Sequence, residues 1–221
     1  MRNFLLGSLI SYAAPVAACD IALMLAVDVS GSVDAREYRV QMDGLAAALI
    51  DPSVTDALVA SNAKLALMQW TGSGRQAVVI DWTKMTDASD VTAFANQVIA
   101  EPRIWRDYST AIGEAMALSL TYFALVPDCH RHVIDISGDG ENNEGRAPDD
   151  TWASLAAGGV TVNALVIEES VPGLTRYFEE KVIMGPGSFA ITAHLFDDYP
   201  VQMRRKLYRE LTQAVSFLDS E

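Results

Sequence analysis

The chain has 221 residues, 50% of them hydrophobic, and a formal net charge of −13 at pH 7. Its length and composition provide enough apolar side chains for the core of a single domain. The negative charge disfavours binding to nucleic acids and to anionic membrane surfaces, which attract basic proteins. An acidic surface mostly favours solubility, and it can also keep divalent cations nearby.

The first 18 residues are typical of a secretory signal peptide. Arg2 supplies a positive charge, residues 4–14 are apolar but too short to span a membrane comfortably, and small residues lead to Ala18. We therefore expect export to the periplasm or the extracellular space, with one mature domain over residues 19–221. The residues before Cys19 also resemble a lipoprotein processing site, so a lipid on Cys19 is the alternative.

The rest of the chain alternates between strand and helix patterns. An apolar run over residues 21–27 predicts a first strand that is buried on both faces of a parallel sheet. The elements predicted after it are a helix over 33–50, strands over 64–70 and 76–82, helices over 86–100 and 110–125, a strand over 131–136, a helix over 148–157, a strand over 160–167, a helix over 174–181, a strand over 188–193 and a helix over 197–218.

This order of elements predicts an α/β fold. The loop over residues 71–75 is so short that the two strands it joins must be antiparallel. The other strands alternate with helices, which predicts parallel neighbours joined by helical crossovers. We therefore expect a doubly wound, mostly parallel six-stranded sheet with one antiparallel strand and helices on both faces.

The chain has two cysteines, Cys19 and Cys129, and each precedes an apolar run that ends in an aspartate, Asp28 or Asp139. If the two strands are parallel neighbours, the cysteines lie level at the strand starts, within reach of a disulfide bond. Such a bond persists in an oxidising compartment. Closing a loop of about 110 residues could contribute about 4 kcal/mol of stability. We therefore expect a disulfide bond in preference to a lipid at Cys19.

Oxygen-bearing side chains follow the first strand at alternate positions, Asp28, Ser30 and Ser32. A period of two places all three on one side of an extended or turning chain. In doubly wound sheets, ligands bind beyond the C-terminal strand ends where the strand order reverses. This rule brings Thr110 and Asp139 to the same place. Two carboxylates and three hydroxyls, without His or Cys, suit Mg²⁺, Mn²⁺ or Ca²⁺ better than zinc.

The two aspartates could instead serve roles outside a shared metal site. Asp28 could simply cap the following helix. Asp139 with Asn142, Asn143 and Glu144 could bind calcium by itself, but the spacing of an EF-hand loop is missing, so a solvated turn is favoured.

The loop before Thr110 contains Trp105, Arg106 and Tyr108. These side chains, together with Glu141, could form a rim around the site that contacts a partner protein. Core packing or a structural lid accounts for the aromatic residues equally well.

Motifs of common enzyme classes are missing from the sequence. It contains neither a phosphate-binding Gly-x-x-x-x-Gly-Lys-Ser/Thr loop nor a Gly-x-Ser-x-Gly nucleophile elbow. His130 and His132 have strand spacing, which would suit two metal ligands, but we expect ordinary surface or strand-edge residues. A metal-dependent hydrolase is the alternative function, because a cation with an open position can activate water. It lacks an evident general base, so we expect no catalysis.

Three sequence motifs together carry a family resemblance. The Asp-x-Ser-x-Ser of residues 28–32 resembles that of von Willebrand factor type A domains and integrin inserted domains. The segment Thr-Ala-Ile-Gly-Glu-Ala-Met over residues 110–116 resembles the one with this family's metal-site threonine. Residues 137–140 resemble its Thr-Asp-Gly, with Gly138 in place of the usual threonine. The motifs occur in the expected order, and the strand pattern agrees over residues 20–218.

The resemblance is closest to a bacterial branch of exported proteins of unknown function. It rests on the segments Cys-Asp-Ile-Ala-Leu from residue 19, Ile-Asp-Ile-Ser-Gly-Asp-Gly-Glu-Asn-Asn from residue 134 and Met-Gly-Pro-Gly-Ser-Phe from residue 184.

The family resemblance implies a metal-ion-dependent adhesion site. Its metal ligands would be Asp28, Ser30, Ser32, Thr110 and Asp139. The cation would be Mg²⁺, with Mn²⁺ or Ca²⁺ as alternatives. The bound cation would in turn bind a carboxylate of a partner protein. In this family, a change in metal ligation between two affinity states is linked to movement of the last helix.

Overall fold

The computed structural model describes residues 19–213, so the predicted signal peptide and the predicted helical residues 214–218 lie outside the described part. The strands are β1 (Cys19–Asp28), β2 (Lys64–Trp70), β3 (Gln76–Lys84), β4 (Cys129–Gly138), β5 (Val160–Ile167) and β6 (Ala190–Ala193). The α-helices are α1 (Ala35–Leu49), α2 (Pro52–Ala60), α3 (Ala88–Ala100), α4 (Ile112–Phe123), α5 (Trp152–Ala157), α6 (Leu174–Lys181) and α7 (Tyr199–Gln213). Among these helices, none has the length and apolar character needed to cross a membrane.

The six strands form one sheet in the order β3-β2-β1-β4-β5-β6. Only β3 is antiparallel to its neighbour, and all the other pairs are parallel. The predicted α/β fold and sheet are thus confirmed. The chain passes from β1 to β2 on one side and later returns to β4 on the other side. The strand order therefore reverses at β1, and a crevice opens beyond the C-terminal ends of β1 and β4.

The sheet separates two apolar layers. Helices α1, α2, α3 and α7 cover one face, where they pack on Leu23 and Leu25. Helices α4, α5 and α6 cover the other face, where Met24 and Ala26 lie. Residues 21–27 are each at most 1% exposed, so β1 is buried on both faces, as the unbroken apolar run predicts.

The predicted disulfide bond joins Cys19 to Cys129, with 4.4 Å between the two Cα atoms. The two residues are direct partners in the parallel register of β1 and β4. The bond therefore fixes these strands at the edge of the sheet opposite to the crevice. Because the Cys19 sulfur is bonded to Cys129, it is not free to carry a lipid.

The predicted element bounds are wrong in a few places. Asp51-Pro52 ends α1 as predicted, but it also begins α2, a helix that the sequence pattern did not predict. The Asp51 carboxylate caps α2 by accepting a hydrogen bond from the Ser53 amide, with Pro52 in the first turn. The predicted helices over 148–157 and 197–218 begin as short 3₁₀ turns, over Pro148–Thr151 and Phe196–Asp198.

Candidate metal site

The turn after β1 connects the three predicted side chains to one another and to β4. Asp28 Oδ1 accepts a 2.7 Å hydrogen bond from the Ser30 amide, which curls the chain back on itself. The Ser30 and Ser32 hydroxyls are 3.1 Å apart, and the Ser32 hydroxyl donates to Asp139 Oδ1 at 2.6 Å. Four of the five predicted ligands therefore form one connected group at the ends of β1 and β4.

Helix α1 is capped by Asp34 and not by Asp28. Asp34 Oδ1 accepts a hydrogen bond from the Glu37 amide, and the Glu37 carboxylate accepts one from the Asp34 amide. This reciprocal arrangement is a capping box. The alternative interpretation of Asp28 as a helix cap is therefore wrong.

Thr110 lies beside the turn that contains Asp139. The Thr110 amide donates to Asn143 Oδ1, and the Asn143 amide donates to the Thr110 carbonyl, both at 2.9 Å. A Cβ atom placed on Gly140 would be 3.7 Å from Thr110 Oγ1, so the hydroxyl is close to the start of this turn. Helix α4 begins two residues later at Ile112, so Thr110 precedes this helix.

The side chains that follow Asp139 hold neighbouring loops in place. Asn142 Oδ1 accepts a hydrogen bond from the Gly113 amide at 3.3 Å, and Glu144 Oε2 accepts one from the Ser73 amide at 3.2 Å. These amides occupy oxygens that a separate calcium site would need. These contacts order the turn more than we expect for a solvated turn. The hydrogen bonds between Asn143 and Thr110 also help to fix Thr110.

The site has two buried carboxylates without an internal counter-ion. Asp28 is fully buried, and its Oδ2 atom has no hydrogen-bond partner. Burial and the nearby charge of Asp139 raise the pKa of Asp28 to about 8. Burial also raises the pKa of Asp139, against the effects of the Ser32 hydrogen bond and the Arg103 charge. Within residues 19–213, neither carboxylate is in a salt bridge.

This donor set fits a hard divalent cation. A buried carboxylate oxygen without a partner is costly, because burial removes its water without replacing it. A cation would supply the missing partner for Asp28 Oδ2, and the Thr110, Ser30 and Ser32 hydroxyls would add neutral oxygen ligands. No cluster of three or more His, Cys, Asp or Glu side chains is present within the described chain, so the fit rests on the hydroxyls as well as the two carboxylates.

The replacement of the family's usual threonine by Gly138 has a local steric cause. A Cβ atom at this position would be 3.2 Å from Asp28 Oδ2 and 3.4 Å from the buried ring of Trp70. The indole thus lies close to the strand end and contributes to the burial of Asp28. A larger side chain at position 138 would crowd both groups.

Arg103 is a site residue that was not predicted from the sequence. Its Nη2 atom donates to the carbonyls of Val29 and Ser30, at 3.0 and 2.8 Å. Its own loop is held by Gln69, which accepts from the Ile104 amide at 3.1 Å. Arg103 therefore fixes the backbone of the Asp-x-Ser-x-Ser turn from outside. Its only sequence signal is a charged residue directly after a helix-ending proline.

The predicted rim residues differ in their surroundings. Trp105 is half-buried and packs against the core, as the alternative interpretation predicts. Arg106 and Glu141 are exposed. Tyr108 is 42% exposed, and the Arg75 guanidinium lies 3.9 Å from the centre of its ring. The Tyr108 carbonyl also accepts a hydrogen bond from the Gly31 amide at 2.8 Å, which places this segment directly against the site.

The two strand histidines have structural surroundings. His132 stacks on Phe123, with 4.9 Å between the ring centres, and its Nε2 atom lies 3.1 Å from the Val126 carbonyl. His130 is exposed and has its Nδ1 atom 3.8 Å from an Asp20 oxygen. Both lie at the start of β4, at the opposite edge of the sheet from the candidate site.

Solved structures with a similar fold include a von Willebrand factor type A protein. Proximal thread matrix protein 1 from the mussel byssus has 18% identity and a TM-score of 0.65, over 88% of this chain and 49% of its own. A von Willebrand factor type A protein from Catenulispora acidiphila has 18% identity and a TM-score of 0.62, over 87% and 43%. An aerotolerance-related membrane protein from Bacteroides fragilis, with multiple mutations to serines, has 18% identity and a TM-score of 0.56, over 87% and 99%.

The chain thus spans about half or less of the first two proteins, and the likeness shows the fold. Another structure of the mussel protein is described as having a zinc-occupied MIDAS motif, at 18% identity and a TM-score of 0.59. No curated protein matches the chain. A family profile described as "Protein of unknown function (DUF1194)" matches residues 18–215. The chain therefore belongs to this family of unknown function, DUF1194, and has the von Willebrand factor type A fold.

Proposed function

We propose that this protein is a metal-ion-dependent protein-binding module of the adhesion type. Its metal ligands are Asp28, Ser30, Ser32, Thr110 and Asp139. The cation is Mg²⁺, with Mn²⁺ and Ca²⁺ as alternatives, and it binds a carboxylate of a partner protein. The proposal builds on the von Willebrand factor type A fold of the domain, which the similar solved structure supports.

One observation carries the proposal, the fully buried Asp28 Oδ2 atom without a hydrogen-bond partner. It belongs to a group of oxygen ligands at the reversal point of the sheet, where such folds bind ligands. A hard cation satisfies this oxygen and offsets the charge of Asp139. The support is thus the chemistry of the donors together with their place in the fold.

The protein-binding role follows from the charge of the ligand set. Three of the five ligands are neutral hydroxyls, so two carboxylates leave a divalent cation without excess negative charge around it. Such a cation retains an affinity for a further anionic oxygen. The exposed Tyr108, Arg106 and Glu141 beside the site provide a surface that a partner can contact.

We also propose that the protein is exported. The disulfide bond between β1 and β4 fits an oxidising compartment, and the N-terminal segment has the pattern of a signal peptide. A carboxylate-binding module in the cell envelope would then have its cation supplied from outside the cytoplasm.

Metal binding is tested first, by titration calorimetry of the purified protein with Mg²⁺, Mn²⁺ or Ca²⁺ alone. The variants Asp28→Ala and Asp139→Ala should lose this binding. Asp197→Ala is the matched control, because this aspartate is exposed and lies outside the site. Equal metal binding by all four proteins would rule out the site.

Partner binding is tested by cross-linking in a cell-envelope extract, with the protein in Mg²⁺ or in EDTA. We expect a protein that is captured by the wild type in Mg²⁺ and by the Asp197→Ala control, and is lost with EDTA or with Asp28→Ala. A partner captured equally in every arm would sink the adhesion proposal. Metal-dependent hydrolysis of p-nitrophenyl phosphate that Asp28→Ala abolishes would favour the hydrolase instead.

A further inference from the structure

A group of charged side chains is buried between α7 and the middle of β4, away from the candidate metal site. Lys206 and Glu210 are 0% exposed and Asp135 is 2% exposed. Lys206 Nζ lies 2.6 Å from Asp135 Oδ1 and 3.1 Å from Glu210 Oε1. Asn163 Nδ2 donates to the same Glu210 oxygen at 2.7 Å. One amine is thus enclosed with two carboxyl groups inside the protein.

The contact between Lys206 and Asp135 is short, but it is not a hydrogen bond. At 2.6 Å the two atoms are close enough, and yet neither Asp135 oxygen has a hydrogen-bond partner within the described residues. The angles at this contact therefore lie outside hydrogen-bonding geometry. The amine is held against the carboxyl group without being aligned as a donor, which leaves this buried ion pair poorly satisfied.

Glu210 contacts the Lys206 amine directly, and the charge of Asp135 acts on its carboxyl group. Its Oε1 atom accepts a hydrogen bond from Lys206 Nζ, and its Oε2 atom has no partner. Burial raises the pKa of Glu210 to about 8, against the opposing effect of the Lys206 charge. A carboxyl group of this kind can hold a proton near neutral pH and can also release it.

The surroundings exclude water from the group. The Phe189 ring centre lies 5.7 Å from Lys206 Nζ, and the side chain of Phe189 is 5% exposed. Tyr199 on α7 and Ser137 on β4 are also buried, one on each side of the same contact surface between helix and strand. The Arg131 guanidinium donates a 3.4 Å hydrogen bond to the Glu210 backbone carbonyl, and it also interacts by charge with the Glu210 carboxyl group. Within residues 19–213, Lys206 is the cation that forms salt bridges with Asp135 and Glu210.

We propose that Lys206 and Asp135 condense to form an isopeptide bond, with Glu210 as the proton-transfer group. The neutral Lys206 amine attacks Cγ of the protonated Asp135 carboxyl group, and a new N–C bond forms. Glu210 accepts a proton from the nitrogen and delivers one to the departing oxygen. The Cγ–O bond then breaks and one water molecule leaves. Overall, an ammonium and a carboxylate give an amide and water, with no oxidant and no change in the number of protons.

The burial of the charges favours this reaction. In the unreacted state, an ammonium and a carboxylate are kept away from water with poor hydrogen-bond geometry. The amide is neutral, so its formation removes both charges from the interior. Enclosure also holds the reacting atoms together, which replaces an encounter in solution by a reaction between fixed neighbours. The bond would connect α7 covalently to the central part of the sheet.

The test is a tryptic peptide map of the purified, reduced and denatured protein by mass spectrometry. We expect the peptide with Asp135 to be linked to the peptide with Lys206, at a mass lower by one water than the sum of the two. Trypsin should not cleave after Lys206. The exposed pair of Lys181 and Asp149, with 2.8 Å between its charged atoms, is the internal control and should give separate peptides. Recovery of Asp135 and Lys206 only in separate peptides would overturn the proposal.

Two variants test the roles of the residues. Lys206→Met keeps an apolar stem of similar length and should have the full mass of its sequence. Glu210→Gln keeps both reacting groups, and we expect the linked fraction to fall at least tenfold. Complete linkage in Glu210→Gln would overturn the assignment of Glu210. The wild-type peptide map decides on the bond even if a variant does not fold.

Discussion

Two pairs of buried carboxylates lie at the same central strand, β4, and differ in what neutralises them. Asp135 and Glu210 share Lys206, an amine of the chain itself. Asp28 and Asp139, at the strand ends, have no salt-bridge partner within the described residues. Burial raises the pKa of one member of each pair, Glu210 and Asp28, to about 8.

The difference between the pairs separates a structural role from a binding role. A pair that shares an amine of the chain needs no ligand from outside, and Lys206 connects α7 to β4, by the ion pair or by the proposed amide bond. A pair without one is incomplete, and it lies at the reversal point of the sheet, where a ligand can reach it. The missing cation, and not the buried charge itself, is therefore what distinguishes the proposed metal site.

The largest effect is expected when Asp135 and Glu210 lose the amine of Lys206. Lys206→Met removes both the amine that faces Asp135 and Glu210 and the proposed amide bond, and it should lower the free energy of unfolding by about 3–5 kcal/mol or more. Urea denaturation measures this loss. The control Arg36→Met removes one member of an exposed pair, with side chains 65% and 66% exposed, and should cost less than about 1 kcal/mol. Similar losses in both variants would contradict the comparison.

Removal of the disulfide bond should destabilise the whole fold, without a separate effect on either pair of carboxylates. Replacement of Cys19 and Cys129 by alanine should lower the free energy of unfolding by about 2–4 kcal/mol, because the unfolded chain gains freedom. The midpoint of urea denaturation should fall by the same amount in Mg²⁺ and in EDTA. A loss that appears only in Mg²⁺ would show that the bond acts on the metal site itself.

A smaller effect on stability is expected when a cation is supplied to Asp28 and Asp139 or removed from them. Mg²⁺ at about 100 times its dissociation constant should stabilise the wild type by about 2.7 kcal/mol relative to EDTA. Asp28→Asn should abolish this gain while it costs little stability in EDTA, because it replaces a buried carboxylate by a neutral group. Thermal unfolding measures both, with Asp197→Asn as the matched control. An undiminished Mg²⁺ effect in Asp28→Asn would contradict the assignment.

The last prediction concerns the pH dependence of stability. Burial raises the pKa of Glu210 from 4.5 in the unfolded chain to about 8 in the folded one. The folded protein then binds more protons than the unfolded chain between these values. The resulting stability is fully present below about pH 4.5 and is lost as the pH rises through about 8. Glu210→Gln should flatten this fall in urea denaturation at saturating Mg²⁺. A slope identical to that of the wild type would exclude Glu210 as its source.

Strand patterns that end sharply were predictable from the sequence. Strands β2 and β5 have the predicted bounds, because polar or glycine residues border each apolar run. Helix α2 was not predicted, because Asp51-Pro52 can both end one helix and begin the next. Beyond Ile136, β4 continues to Gly138 through pairing with β5, a tertiary contact that local sequence does not encode.

The proposed metal ligands could be picked out of the sequence because their residue types and spacing are distinctive, and the structure places four of them in one connected group with Thr110 beside it. Arg103 could not be picked out, since its contacts with two backbone carbonyls depend on how a loop folds over the site. Lys206 and Glu210 were also missed. A Lys and a Glu four residues apart are usual on an exposed helix face, and their burial depends on Asp135 from a distant strand. The available signal in the sequence was Asp135, a charged residue within an apolar strand.

The disulfide bond also determines how the domain would carry mechanical load. A pulling force that enters the folded chain at Cys19 passes directly to Cys129, across a sequence separation of 110 residues. The segment between the two cysteines therefore bears no tension and cannot extend while the bond is intact. Four of the five proposed metal ligands lie within this shielded segment, and Asp139 alone lies outside it. Strong pulling would thus act on the site mainly through β4.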